Sequence, residues 1–250
     1  AKANLEAEQN SLADTKRKNE DLKNQMEDKK YDLQSNENQK QSLLSKTAGE
    51  EAKYQELLAK VEQQKLELFD FGTASNLSDV LDSVSSYPKP LSKYWDSSHF
   101  YYQWDSRWAN KKIGGTKYLM KDFGCAVASV AMAYQFNGKN YTPQAVLANA
   151  DFTSQALIYW PAGWVKRAFD SGVVDSQLKN GKVVIVHIKK GSSAGHFVVI
   201  HHKPSNFKTI NDYVVHDPYF GANLYLGTSR ALMGAMNPRS GTVIDQMVMY

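Results

Sequence analysis

A single cysteine, Cys125, occurs in the 250 residues, so no disulfide can form within the chain and its fold must rest on packing and hydrogen bonding. No apolar run approaches the roughly 20 residues that span a bilayer, so no transmembrane segment is expected. An arginine-rich stripe is also missing. The lysines are scattered, as at Lys111-Lys112, Lys189-Lys190, Lys203 and Lys208, and this argues against nucleic acid as a partner. His201, His202, His216 and Asp217 are close in sequence, but no HxxxH or HExxH spacing accompanies them, so neither a metal nor a cofactor is expected. The chain opens at Ala1 without a hydrophobic leader, and an export signal is expected to have been removed from it.

Other absences are local. Residues 1–70 contain no Pro, no Trp and one Gly, with 12 Lys/Arg against 15 Asp/Glu. Residues 71–250 hold all five Trp and all seven Pro, with 18 Lys/Arg against 11 Asp/Glu. Two bodies of different composition are therefore joined. The positive balance of the second favours anionic partners such as a wall polymer or a membrane surface.

Within residues 1–70, Leu5, Leu12, Asn19, Met26 and Leu33 recur every seven residues, and the count continues through Lys40, Thr47, Tyr54, Val61 and Leu68. The second seam position is filled only at Leu22, Leu43 and Leu57. Such a repeat on a Glu/Lys/Gln background is a coiled-coil pattern, with a seam weakened by Asn19, Lys40 and Thr47. Thr47-Ala48-Gly49-Glu50 has the form of a capping box. The expected arm is thus 1–70, with helices over about 2–45 and 48–69. Neither helix has enough apolar residues to stand alone, so a hairpin, a homodimer or another coiled-coil partner is expected.

Residues 71–98 read as a linker holding one short helix, Asn76 to Val84, before the extended Ser85-Ser86-Tyr87-Pro88-Lys89-Pro90. Residues 99–250 read as an α+β domain. Helices are expected at 125–137, 143–149 and 161–171, and strands at 182–188, 196–202, 213–217 and 242–249. Helices early and strands late imply a helical layer against an antiparallel sheet.

The chemistry centres on Phe123-Gly124-Cys125-Ala126-Val127-Ala128-Ser129, a glycine turn opening an amphipathic helix. Free N–H groups and the positive end of the helix dipole favour a thiolate at such a place. A nucleophilic thiol needs a base and a group to orient it. Among six histidines, His196 follows a Gly and starts a β-branched run, Gly195-His196-Phe197-Val198-Val199-Ile200. The next strand ends in His216-Asp217-Pro218. In an antiparallel pair the start of one strand lies beside the end of the next, so Asp217 can meet His196 and fix its tautomer. The developing oxyanion needs donors: the Cys125 N–H is one, and the Gln103 amide is the second candidate.

Four stretches in order carry a resemblance: Tyr101-Tyr102-Gln103-Trp104-Asp105-Ser106-Arg107-Trp108; Met120 to Met132 around Cys125; Gly195 to Ile200; and His216-Asp217-Pro218-Tyr219-Phe220-Gly221. Over about residues 100–250 the chain resembles the bacteriocin-processing-type, papain-like cysteine peptidases, in particular a secreted branch without a transporter. The resemblance implies a papain-like domain with Cys125 as nucleophile, His196 as general base, Asp217 as orienting acid and Gln103 as oxyanion donor. One departure is Ala126-Val127-Ala128-Ser129, where many members have Gly-Pro-Thr-Ser, and it bears on substrate preference. Residues 44–68 resemble the coiled coils of exported murein hydrolases and their activators. The expectation is therefore a secreted or cell-wall-associated cysteine peptidase or amidase acting on peptidoglycan stem peptides or a surface protein. The alternative is a non-enzymatic wall-binding or activator protein that uses the same fold for recognition.

Overall fold

In the computed structural model the described residues are Glu37 and residues 67–190, 194–236 and 241–250. All but Glu37 fall in the unit formed by residues 60–250. The expected coiled-coil arm thus lies almost wholly outside the described residues; Glu37 itself is helical and exposed.

The described residues form a mixed α+β fold around one sheet. Its strands are β1 (Glu67–Leu68), β2 (Val165–Ala168), β3 (Val184–Lys190), β4 (Ala194–His202), β5 (Val214–Asp217), β6 (Gly221–Tyr225) and β7 (Thr242–Met249). They run in the order β2-β7-β3-β4-β5-β6, every neighbour in that path antiparallel, with β1 added in parallel to β4. The main helices are α1 (Leu77–Ser83), α2 (Met120–Phe123), α3 (Cys125–Phe136), α4 (Pro143–Asn149), α5 (Ser171–Lys179) and α6 (Leu226–Ala235).

The central strands are apolar on both faces because both faces are covered. Ile185, Phe197, Val199 and Val248 pack with α3 residues such as Val127, Val130 and Ala131 and with Val146 of α4. Val184, Val186, Ile188, Val198, Ile200 and Met247 pack on the other side with Val174 of α5 and Leu226, Leu232 and Met233 of α6. The single helical layer expected from the sequence is therefore two, one on each face.

Three expectations need correction. The helix expected over 161–171 is a turn followed by edge strand β2 and the start of α5. Gly163 breaks the helix at a φ of 85°, β7 offers β2 its ladder bonds, and the Asp170 carboxylate caps α5 by accepting from Gly172 N and Val173 N. The helix expected to run to about residue 69 does not do so, since Glu67–Leu68 are extended on β4. The stretch expected as a linker, 71–98, packs on the sheet unit: Phe71 and Val80 are buried in the core, and the Asn223 amide brackets Asp96 by accepting from its N and donating to its O. Helix α1 does form where expected, although Asn76 donates to Ala235 O instead of capping its own helix.

Candidate active site

Cys125 opens α3, directly after Gly124. The glycine is there for space: a Cβ on Gly124 would lie 2.4 Å from Met120 O and 2.7 Å from the Met120 sulfur. Helix α3 is anchored over β4 by Ser129, whose Oγ donates to Phe197 O at 3.3 Å. Cys125 is thereby held near the start of β4, where His196 lies.

His196 and Asp217 meet diagonally across β4 and β5. Val199 lies opposite His216, so the antiparallel register puts Asp217 beside Val198, and His196 is two residues along on the same face. The imidazole Nε2 is 2.7 Å from Asp217 Oδ1. That oxygen also accepts from Tyr219 N at 2.9 Å and Phe220 N at 3.0 Å, so the carboxylate is fixed by the turn it starts. Nδ1, the ring nitrogen left over, has no full hydrogen bond among the described residues, and the Cys125 thiol lies close enough to act on the ring.

Electrostatics follow from this geometry. Burial alone would push the His196 imidazolium down, but the Asp217 charge and hydrogen bond, with the Cys125 contact, outweigh it and raise the group to about 10. Burial would push Asp217 up; the His196 charge and the backbone donors hold it below the usual carboxylate range. Together the two shifts favour an imidazolium–carboxylate pair beside the Cys125 sulfur.

Gln103 is fully buried next to the same turn. Its N–H donates to Pro218 O at 2.8 Å, and its side-chain Nε2 donates to Lys121 O at 2.9 Å, just ahead of Cys125. Its Oε1 is buried without a partner among the described residues. The Asp105 carboxylate accepts from Arg107 N, Nε and Nη2, and Asp105 O accepts from Trp108 N, so the motif around Gln103 is a stapled turn. Trp108 is buried in the core, and Trp104 stacks on Tyr102 at 4.0 Å and donates its indole N–H to Tyr219 O at 2.9 Å.

The remaining histidines lie elsewhere. His216, on the face opposite Asp217, stacks with His201 at 4.2 Å and lies 3.6 Å from Asp96. His99 stacks on Phe136 at 4.4 Å and is bonded to Asp96. Among the described residues no group of His, Cys, Asp and Glu converges as a metal site would. His187 pairs with Asp245 at 2.8 Å beneath Gly195, and a Cβ at Gly195 would fall 1.7 Å from the His187 ring.

Several contributors escape the motif reading. Gly195 offers a carbonyl beside His196, and Phe71 lays its ring edge against His196 at 5.2 Å. Their signal in the sequence is slight: an aromatic pair, Phe69 and Phe71, interrupts the polar composition where the first body ends. All of Gln103, Cys125, His196 and Asp217 are at most 1% exposed. Compared with models of protein families, with curated proteins and with solved structures, the chain matches none. Among the described residues no helix is long and apolar enough to cross a membrane.

Proposed function

We propose that the chain is an exported bacterial cysteine peptidase or amidase with a papain-like catalytic domain and a coiled-coil arm. The observation that carries this reading is the 2.7 Å bond from Asp217 to His196, which leaves the other imidazole nitrogen for the thiol at the head of α3. A buried, carboxylate-paired imidazole beside a thiol is the arrangement that activates a cysteine nucleophile.

In this mechanism the Cys125 S–H bond breaks as its proton passes to Nδ1 of His196, and the thiolate attacks a peptide or amide carbonyl, whose π bond opens to an oxyanion as the C–S bond forms. The Cys125 N–H and the second N–H of the Gln103 amide stabilise that oxygen. His196 gives its proton to the departing amine as the C–N bond breaks. Water then attacks the thioester as His196 takes its proton, the C–S bond breaks to release the acid, and His196 returns that proton to the sulfur to restore the free thiol. Asp217 keeps the ring turned and its charge balanced throughout. The positive balance of residues 71–250 suits an anionic wall polymer, so a peptidoglycan stem peptide or a surface protein is the substrate class proposed.

Digestion of purified peptidoglycan, read by mass spectrometry, tests this reading. Stem-peptide fragments released by the full chain and not by Cys125→Ala support it. If neither wall peptides nor unfolded proteins yield any product that depends on Cys125, the hydrolase reading fails. One observation favours the rival recognition module: all four residues are almost wholly buried, Cys125 at 1% exposure included. Labelling of Cys125 by a thiol-directed probe in the native chain separates the two.

A further inference from the structure

Part of what covers His196 is an upstream segment of the chain itself. Strand β5 pairs only with Val199–His202, so the first residues of β4 are left without a neighbour on that side. Strand β1 fills the gap, with Glu67 opposite Ala194 and Leu68 opposite Gly195, and Phe69 N–H then donates to Gly195 O at 2.9 Å. This main-chain ladder ends one residue before His196.

Beyond it the chain turns sharply. The Asp70 carboxylate accepts from Gly72 N, closing a short turn that rests against Asp122 of α2. The turn drives the Phe71 ring onto Tyr219, stacked at 3.7 Å, and edge-on to His196. Leu68 packs with the α3 side of the core and Phe71 with the opposite side, so the segment crosses the place where Cys125 and His196 come together.

A peptidase must hold its substrate extended, so that one carbonyl is presented to the sulfur in a fixed register. Pairing to a free strand edge does this through main-chain bonds, while pockets choose the side chains. The open edge of β4 and the Gly195 carbonyl supply such an edge, and the Tyr219 and Phe220 rings that flank Phe71 supply the walls for a side chain. From these contacts we infer that residues Leu68–Phe71 hold the place of the substrate: the site takes an extended peptide paired to Gly195, with an aromatic side chain lodged against His196 and Tyr219, and it stays closed until this segment lifts. The inference rests on the peptidase reading given above.

The test uses full-length chains and the one thiol as reporter. In Phe69→Pro the donor to Gly195 O is gone; in Phe71→Asp a carboxylate replaces the buried ring. Each variant should be alkylated at Cys125 by iodoacetamide roughly tenfold or more faster than the unaltered chain, because the lifted state becomes better populated. Free peptide Leu-Phe-Asp-Phe-Gly-Thr should restore slow alkylation, whereas the same peptide with Asp in place of its second Phe should not. The unaltered chain guards against misfolded variants: its attached segment competes with the peptide, so slowing its alkylation should take at least roughly tenfold more of the first peptide than the variants need.

Unchanged alkylation in both variants, or no protection by the peptide, overturns the inference. So does hydrolysis by the unaltered chain at the rate of the variants. Faster alkylation with peptide protection but no hydrolysis of any substrate supports the occupied cleft and removes the peptidase reading, so the two failures are distinct.

Discussion

At the scale of single residues, the buried His196–Asp217 pair sets both turnover and pH response. His196→Ala should approach the complete loss of turnover of Cys125→Ala, whereas Asp217→Asn should keep a fraction because an amide can still orient the ring. Gln103→Ala should lower the turnover rate by roughly 10²–10³ while Cys125 still alkylates at its former rate, as one oxyanion donor is removed. Equal turnover in the Gln103→Ala and unaltered chains would reduce that side chain to its bond with Lys121 O. The pair also leaves a mark on stability. His196 is raised from 6.5 to about 10 in the folded chain, so its contribution is full below about pH 6.5 and fades as the pH climbs towards 10. Denaturant midpoints measured from pH 6 to 10 should fall along this limb, and Asp217→Asn should flatten it by removing the charge that lifts the imidazole.

At the scale of elements, the head of α3 depends on a close approach. Gly124→Ala would drive a methyl group to 2.4 Å from a backbone carbonyl, and backbone cannot swing aside as a side chain can. The substitution should cost about 2–4 kcal/mol by thermal denaturation and also shift the thiol. A melting temperature equal to that of the unaltered chain would show that the α2–α3 junction relaxes freely. Elements whose signals are local were legible in the sequence. The apolar run of α3, Thr142 ahead of Pro143 in α4, and the β-branched strands β3, β4, β5 and β7 all mark themselves. So does the meeting of His196 and Asp217, because strand order alone brings them together. Elements that depend on distant partners were not legible. Edge strand β2 has helical spacing in its apolar residues but borrows its ladder from β7, about 80 residues later. Strand β1 is two residues long and exists only because β5 leaves part of β4 unpaired. Strand β6 and helix α6 follow a tight turn whose stability comes from the buried Asp217 carboxylate, a tertiary feature.

At the scale of the whole molecule, acid and truncation probe different parts of the design. Burial lowers His187, His201 and His216 below the usual imidazole range, His201 to about 2. Such groups cost nothing above about pH 6.5; below it the unfolded chain takes up protons that the folded chain refuses. Stability should therefore fall with acid by about 1.4 kcal/mol per pH unit for each proton, and His201→Leu should make that limb less steep in denaturant titrations from pH 7 to 4. Truncation tests where the folding unit begins. Composition alone places the start near His99, but the core is completed from further upstream. Phe71 and Val80 lie within the apolar cluster behind β4, Asp96 bonds His99 and Asn223, and Tyr94 bonds Ser205. A chain of residues 60–250 should melt as one cooperative transition. A chain of residues 99–250 loses the Phe71 side chain, a deletion that costs about 3–5 kcal/mol when a buried Phe is truncated. It also strands the Asn223 amide and bares Tyr219. Against a total of roughly 5–15 kcal/mol, this should leave it aggregated or unfolded well below the melting temperature of residues 60–250, as circular dichroism and light scattering would show. Equal melting of the two pieces would mean that residues 67–98 are laid on a body that is complete without them.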